Sequence, residues 1–600
     1  MIRLNKKQLE DKTTFIKNYL AADNAANASK MDANANVTSK NVATLEAELN
    51  KDINIQVNRK LLTSRIEELF GEEMAEEYTR QIETHEIYTH DETSLKPYCA
   101  SISLYPFLLD GLTTLGGESK APQHLASFCG SFINLVFAVS AQFAGAVATV
   151  EFLTYFDYFS RKEFGDDYLI THKKIIENEL QHVIYAINQP AAARGYQSVF
   201  WNISLFDKHY FASMFKDFVF PKLNEEGEYD SPEWESVSKL QNFFLTWINA
   251  EREKAILTFP VLTVAMLTEN GECKDDDFAD NCAKELSEGN SFFTYLSDKP
   301  DSLASCCRLR NEIVDNTFSY TLGAGGVSTG SINVITVNMN RLIQDGRDLT
   351  TEIQKIHKYH IAYRSLIQEY MDHGMLPVYN AQYIELKKQF LTIGVNGLVE
   401  AAEYLGIEIS ANDEYRDFVG GQLKQIYDAN KAMAIETGFL FNTEFVPAEN
   451  LGPKNSKWDK LDGYEVNRDC YNSYFYIVED EDTNHIDKFL MHGNDYIQYL
   501  DGGSALHLNL NEYMTQEGFK KLLNVAARTG CTYFCTNVKI TICNDCNYID
   551  KQSTIRCAKC DSSDIDHATR IIGYLKRVKA FSTERQTEHD LRHYHRTKAA

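Results

Sequence analysis

The sequence predicts an α/β protein in which helices cover a mixed or parallel sheet, followed by a small zinc-ribbon-like C-terminal module. Three observations carry this. A strand-like run from Ser331 to Met339, SINVITVNM, follows a turn containing Gly323, Gly325, Gly326 and Gly330. Helical periodicity then runs through residues 353–371 and 394–406, so strand and helix patterns alternate along about 90–540. From about residue 536 a β-rich lead, TNVKITI, gives way to a cysteine-rich knuckle and a basic tail containing histidine. Closure of the sheet into a barrel is left open by the pattern alone.

Residues 1–60 hold an Ala/Asn/Asp-rich stretch, AADNAANASKMDANANVTSKN, with little periodicity, and read as an extended or partly helical arm. Between Arg65 and Thr84 the spacing of Ile66, Leu69, Phe70, Met74 and Tyr78 predicts one amphipathic helix. Phe132 to Leu153 is long enough to span a bilayer. Asn134, Ser140, Gln142 and Glu151 interrupt it, so it reads as a buried core helix. The expected division is an arm over 1–60, a catalytic body over 61–540 and a C-terminal module over 541–600. No internal repeat is evident.

Apolar residues make up 44% of the chain, enough for an extensive core. A net charge of −25 argues against a nucleic-acid binder, which needs a basic face to neutralise phosphates. A single nucleotide pocket needs only a few local cations or helix N-termini. The N-terminal MIRLNKKQLEDKTTF lacks the apolar core of a signal peptide. With thirteen cysteines, this implies a reducing, cytoplasmic setting and metal or redox chemistry in preference to disulfides.

Cys543-Asn-Asp-Cys546 and Cys557-Ala-Lys-Cys560 are two CxxC knuckles ten residues apart. Four thiolates at this spacing can converge on one Zn²⁺ with no open coordination position, a structural site that supplies folding energy. The pattern specifies a metal more than a function, since nucleic-acid-binding ribbons share it.

Thirteen residues after Cys560 stands Gly573, in Arg570-Ile-Ile-Gly-Tyr-Leu575. Alone, such a glycine marks a bulge or tight turn. RxxGYL shortly after a four-cysteine knuckle, with the polar segment Glu584 to Arg592 behind it, resembles the radical loop of the class III (anaerobic) ribonucleoside-triphosphate reductases, which are glycyl radical enzymes. A Cα radical is stabilised when the flanking amides flatten around it, and a side chain would obstruct that geometry; glycine alone has the needed latitude. The resemblance implies a ten-stranded α/β barrel with a central finger loop. It also implies a radical on Gly573 installed by a separate radical S-adenosylmethionine activase that carries an iron–sulfur cluster.

A stored radical needs a relay to substrate. Ser305-Cys306-Cys307-Arg308 resembles the family's finger-loop motif, which makes Cys307 the expected thiyl and Cys306 the alternative; without the resemblance both read as small buried hydrophobes. Tyr88-Thr-His-Asp91 and the following Cys99 resemble the segment bearing the second catalytic cysteine, although Tyr98-Cys99-Ala100 stands where an Asn-Cys-Cys is frequent. The resemblance then implies that the Cys307 thiyl takes the ribose 3′ hydrogen, that Cys99 protonates the departing 2′ hydroxyl, and that Cys307 finally returns its hydrogen. Val446-Pro-Ala-Glu449-Asn450 resembles a substrate loop, so Glu449 and Asn450, with Arg308 and Ser331, are candidate substrate contacts. Asp501-Gly-Gly-Ser-Ala-Leu-His507 resembles a glycine-rich turn beside the site. As isolated strings, both read equally as ordinary turns.

Formate-using members tend to carry asparagine where this chain has Ser331, so a thioredoxin- or glutaredoxin-type dithiol donor stands beside formate as reductant. The arm is too short and irregular for a regulatory ATP-binding cone, and no dATP shut-off through such a domain is expected. The resemblance further implies a homodimer with nucleotide effectors at its interface, and neither membrane nor nucleic-acid partners. The competing readings are another glycyl radical enzyme, of pyruvate formate-lyase or eliminase type, and a non-enzymatic zinc-ribbon binding protein.

Overall fold

Long apolar strands are the reason this chain forms a covered sheet. All ten residues of Thr329–Asn338 and all eight of Gln389–Asn396 are buried, the mark of parallel strands covered on both faces. The computed structural model describes residues 4–28, 40–191, 197–222, 227–299, 302–305, 309–312, 328–445, 451–571 and 573–596. In chain order the strands that matter are β1 (Ile87–Thr89), β2 (Cys99–Ser101), β3 (Val147–Ala148), β4 (Trp201–Phe206), β5 (Val261–Glu269) and β6 (Phe293–Ser297). There follow β7 (Ser302–Ser305), β8 (Leu309–Glu312), β9 (Thr329–Asn338), β10 (Gln389–Asn396), β11 (Leu440–Phe445), β12 (Gly503–Ser504), β13 (Leu506–Leu510) and β14 (Tyr533–Val538).

Hydrogen bonding orders the main sheet β12-β11-β10-β9-β2-β3-β4-β5-β6-β14-β13. Its two ends, β12 and β13, are one strand interrupted at Ala505. Before the break Gly503 and Ser504 pair with Glu444 and Phe445, and after it Leu506 to Leu510 pair with Phe534 to Val538. Counted that way, ten strands close into a ring among the described residues. Strands β2 to β6 are mutually parallel, as are β9 to β14, and the halves meet antiparallel at two seams, β2 with β9 and β6 with β14. Helices cross over between parallel neighbours, among them Phe152–Phe164, Trp234–Glu251, Leu349–Asp372, Asp413–Thr437 and Gln516–Thr529. An α/β barrel results, as the resemblance implies.

The break has a local cause. Gly503 has φ +96°, and a Cβ on Gly502 would lie 2.6 Å from the Thr443 carbonyl, so the Gly-Gly pair permits the close approach that seals the ring. The glycine-rich segment after Asp501 is therefore a closure element as much as a turn.

The chain linking the two halves runs inward. β7 and β8 form an antiparallel hairpin in which Ser305 pairs with Leu309. β7 approaches β5 and β6 while β8 approaches β9 and β12, strands on different sides of the ring. Eight-stranded barrels are just filled by side chains, so ten strands leave room for such an insertion.

Three expectations need correction. Residues 65–84 form not one helix but two, Val42–Phe70 and Glu72–Glu83, separated at Gly71, and the first of these runs straight through residue 60. The apolar run 132–153 is likewise not one helix: Leu125–Ser140 ends, β3 crosses the sheet, and Phe152–Phe164 begins, because the run passes through three core elements. Residues 394–396 complete β10, and the following helix is Leu398–Tyr404. No helix among the described residues is long and apolar enough to cross a membrane. The arm docks on the C-terminal module: Asn24 Nδ2 donates to the carbonyls of Lys579 (2.9 Å) and Phe581 (3.1 Å), and Thr583 N donates to Asn27 Oδ1 (3.0 Å).

Glu151, fully buried beyond β3, accepts the Leu104 N–H at 2.9 Å on one oxygen while the other has no partner among the described residues. Burial outweighs that hydrogen bond and pushes the carboxyl up to about 8. Between about pH 4.5 and 8 the folded protein holds a proton that the unfolded chain has released, so this group's contribution falls as pH rises. Glu151→Gln keeps the acceptor and removes the titration. Thermal unfolding at pH 5 and pH 8 should show the variant gaining on the wild type at the higher pH, by up to about 1.4 kcal/mol per pH unit; an equal difference at both pH values contradicts this.

Candidate active site in the barrel lumen

Strand register fixes which side chains share the lumen. Cys99 is the cross-strand partner of Ser331, and both are fully buried. Gly330, at φ +153°, makes the pairing possible, since a Cβ there would sit 2.2 Å from the Cys99 carbonyl. Ser331 Oγ lies 2.8 Å from Thr392 Oγ1 and donates to the Asn333 carbonyl at 3.0 Å. Thr392 pairs in register with Asn442, so Cys99, Ser331, Thr392 and Asn442 form a row across four adjacent strands. Neither amide atom of Asn442 has a hydrogen-bond partner among the described residues, although the side chain is fully buried. Ser204 Oγ and Asn202 Oδ1 on β4 share this condition. Buried polar atoms are normally paired, so a lumen with several open ones is built for a polar guest.

Gly573 lies in the four-residue connection between β17 (Ile565–Arg570) and β18 (Leu575–Arg577), which with β15 (Ile540–Cys543) and β16 (Ile549–Asp550) form the sheet of the C-terminal module. The loop is gripped by its backbone. Asn537 Nδ2 donates to the Arg570 carbonyl at 3.0 Å, Arg592 Nη1 to the same carbonyl at 3.1 Å, and Arg592 Nη2 to the Ile571 carbonyl at 2.8 Å. Tyr574 packs on Phe200, Phe259 and Phe581, with ring centroids 5.4, 5.8 and 6.4 Å away. Phe200 and Phe259 precede β4 and β5, and Asn537 is the last residue but one of β14, so the loop meets the barrel where the first half begins. The hairpin β7–β8 departs from the opposite end, where β6 finishes.

The clamp carries its own counter-charge. Arg592 Nε donates to Glu588 Oε1 at 3.2 Å and Arg585 Nη1 to Glu588 Oε2, all three side chains being buried. Burial alone would push the Glu588 carboxyl up, but the two guanidinium groups hold it at about 2. Cys470 lies against the same group, 3.5 Å from Arg585 Nη1, and burial raises its thiol.

In the ribbon, the Sγ atoms of Cys543, Cys546, Cys557 and Cys560 lie within 4.8 Å of one another, with 3.5 Å between Cys543 and Cys560 and 3.6 Å between Cys546 and Cys557. A Zn–S bond of about 2.3 Å implies tetrahedral S···S edges of about 3.8 Å, so the four thiols fit one zinc ion. Each knuckle is followed by a left-handed residue, Asn547 or Asp561, whose N–H closes back on the carbonyl of Cys543 or Cys557. None of the eleven cysteines among the described residues is in a disulfide.

A sequence profile of the anaerobic ribonucleoside-triphosphate reductases matches residues 46–595. The chain belongs to this family. Among solved structures, an anaerobic ribonucleotide reductase is 26% identical with a TM-score of 0.85, covering 99% of this chain and 93% of that one. The anaerobic ribonucleotide reductase from Thermotoga maritima in complex with dATP and CTP is 26% identical at TM-score 0.82, covering 98% and 100%. The same enzyme with dATP bound in the specificity site is 25% identical at TM-score 0.80, covering 97% and 100%. No curated protein sequence is matched at a significant level. The reductase is therefore an oxidoreductase acting on ribonucleotides, and the readings as a pyruvate formate-lyase-type enzyme, an eliminase or a non-enzymatic ribbon protein fall away.

Of the sequence-predicted site residues, Cys99 and Ser331 pair across the β2–β9 seam, Gly573 lies in the clamped loop against the barrel, and the four cysteines converge. Cys306, Cys307, Arg308, Glu449 and Asn450 lie outside the described residues, the first three between the paired Ser305 and Leu309. Sequence reasoning missed Asn442, Asn537 and Arg592. A polar residue inside an apolar strand, as in LFNTEF, was the available signal for Asn442.

Among the described residues the ribbon's own buried core is four residues, Ile542, Ile549, Ala568 and Leu575, so zinc should hold it together. Chelation, or Cys546→Ser, is expected to abolish amide-exchange protection over 540–577 while the barrel stays protected. Unchanged protection in metal-free protein would count against a zinc-dependent ribbon.

Proposed function

We propose that this reductase stores its radical on Gly573 and reduces a ribonucleoside triphosphate in the lumen beside Cys99. The observation that carries the reading is the backbone clamp on the loop: two carbonyls before Gly573 are held by Asn537 and Arg592, and Tyr574 after it is anchored in an aromatic pocket. A loop held by its flanking residues in this way can keep one side-chain-free Cα in a fixed place against the barrel. A radical S-adenosylmethionine activase removes a hydrogen atom from Gly573. On substrate binding Gly573 recovers a hydrogen from Cys307, with Cys306 the alternative, and the thiyl takes the ribose 3′ hydrogen. Cys99 donates the proton with which the 2′ hydroxyl leaves as water, a reductant supplies the electrons, and Cys307 returns its hydrogen. The protein's part is positioning and exclusion of solvent.

Arg308, Glu449 and Asn450 act as substrate contacts in this reading, and Ser331 braces the wall beside Cys99. Because the Ser331 hydroxyl already engages Thr392 and Asn333, it is a poor stand-in for an asparagine amide, which favours a thioredoxin- or glutaredoxin-type dithiol over formate as reductant. Effector nucleotides act at a homodimer interface, and dATP and CTP, bound by the Thermotoga maritima enzyme, are the first ligands to try. Zinc is structural. The enzyme works in the cytoplasm, with the arm of residues 1–60, the barrel of 61–540 and the radical module of 541–600 as its parts.

Two outcomes are expected. Exposing activated protein to air should cut the backbone at Gly573 and release a short C-terminal peptide, seen by mass spectrometry; intact chain after confirmed activation would refute the assignment. Asn442→Ala should lower kcat/KM about tenfold to a hundredfold, the loss expected when one buried hydrogen bond to substrate disappears. A value within twofold of wild type would remove Asn442 from the site.

A further inference from the structure

Where the ribbon meets the barrel, a cavity is lined by Arg252, Ser291, Tyr513 and Asn537 from the barrel side and by Arg570 from the ribbon. Two guanidinium groups converge there on one neutral residue. Arg252 Nη1 donates to the Ser291 carbonyl at 2.7 Å and to Asn290 Oδ1 at 3.2 Å. Arg570 Nη2 donates to the same carbonyl at 3.2 Å and Nη1 to the Ser291 hydroxyl, while its Cζ sits 5.3 Å from the centre of the Phe293 ring. Arg252 is only 8% exposed, its Nε has no partner, and it forms no ion pair among the described residues.

Burying a cation against neutral oxygens alone is unfavourable, and a second cation beside it adds repulsion. Burial and the neighbouring Arg570 accordingly bring the Arg252 guanidinium down to about 9. An anion would relieve both effects, and the planar donor fork of arginine matches the oxygens of phosphate-like groups. The cavity is small, about 40 Å³, which suits a single-centre oxyanion.

We propose that Arg252 and Arg570 form a binding site for a small tetrahedral oxyanion of the phosphate type, which ties the zinc ribbon to the barrel three residues ahead of Gly573. One arginine belongs to each part, so a bound dianion bridges them and opposes any movement that would carry the glycine loop outward. The site is separate from the lumen row of Cys99, Ser331, Thr392 and Asn442, and nothing in it depends on the radical chemistry.

Full-length, zinc-loaded protein is compared by amide exchange over residues 565–577 in inorganic phosphate and in chloride at equal ionic strength. At phosphate about tenfold above its Kd, opening of this segment should be suppressed about tenfold. Arg252→Gln should abolish the response. No response in the wild type overturns the proposal, as does an undiminished response in folded Arg252→Gln, which would locate the phosphate elsewhere. Should that variant fail to fold, wild-type crystals soaked in selenate decide. An anomalous peak within hydrogen-bond reach of both guanidinium groups supports the site, and its absence there sinks it.

Discussion

Closure of a ten-stranded ring is the constraint on which the rest of this structure depends. Two parallel five-strand halves can be sealed only if both seams pair, and the second half reaches its far edge through a strand that changes partner at Ala505. Without that change the sheet would remain open at one edge, with unpaired backbone groups beside the lumen. Closure also sets the bore. Ten strands leave a cavity that side chains alone do not fill, and the protein sends a hairpin of its own chain against both sides of the ring.

A wide bore lined by polar residues has an energetic consequence. Interior amides and hydroxyls such as Asn442 and Ser204 are costly to bury unpaired, and the barrel tolerates them because apolar packing is spread over its whole outer wall. The charged groups are handled differently. Glu588 lies between Arg585 and Arg592, so the clamp that holds the loop carbonyls is buried as a balanced cluster and not as a lone cation. Removing the carboxylate would leave two buried guanidinium groups exposed to each other's repulsion, the situation in which breaking a buried ion pair is most damaging.

Much of the site was legible before the fold. Cysteine spacing gave the metal set because thiolate geometry tolerates few alternatives, and RIIGYL behind it marked the loop that the clamp holds. Cys99 and Ser331 were readable only as separate motifs; that they face each other across a seam follows from an antiparallel register which spacing cannot encode. Local patterns failed where an element owed its form to tertiary contact. The apolar run 132–153 looks uniform because helix, strand and helix all face the same core. The helix expected over 65–84 was split at Gly71. Arg592 was invisible as a loop clamp, since its partners are backbone carbonyls some twenty residues upstream.

The arm near the N-terminus adds a mechanical consequence. Through Asn24 and Asn27 it grips the backbone at Lys579, Phe581 and Thr583, just past the ribbon, while its long helix leans on the barrel's outer helices through the pair Arg65 and Glu369. The arm and the module are thus joined by a tether. A hinge motion of the module cannot proceed as a free swing; it must either shed these amide contacts or drag the arm along. The arm therefore acts as a brake on the module.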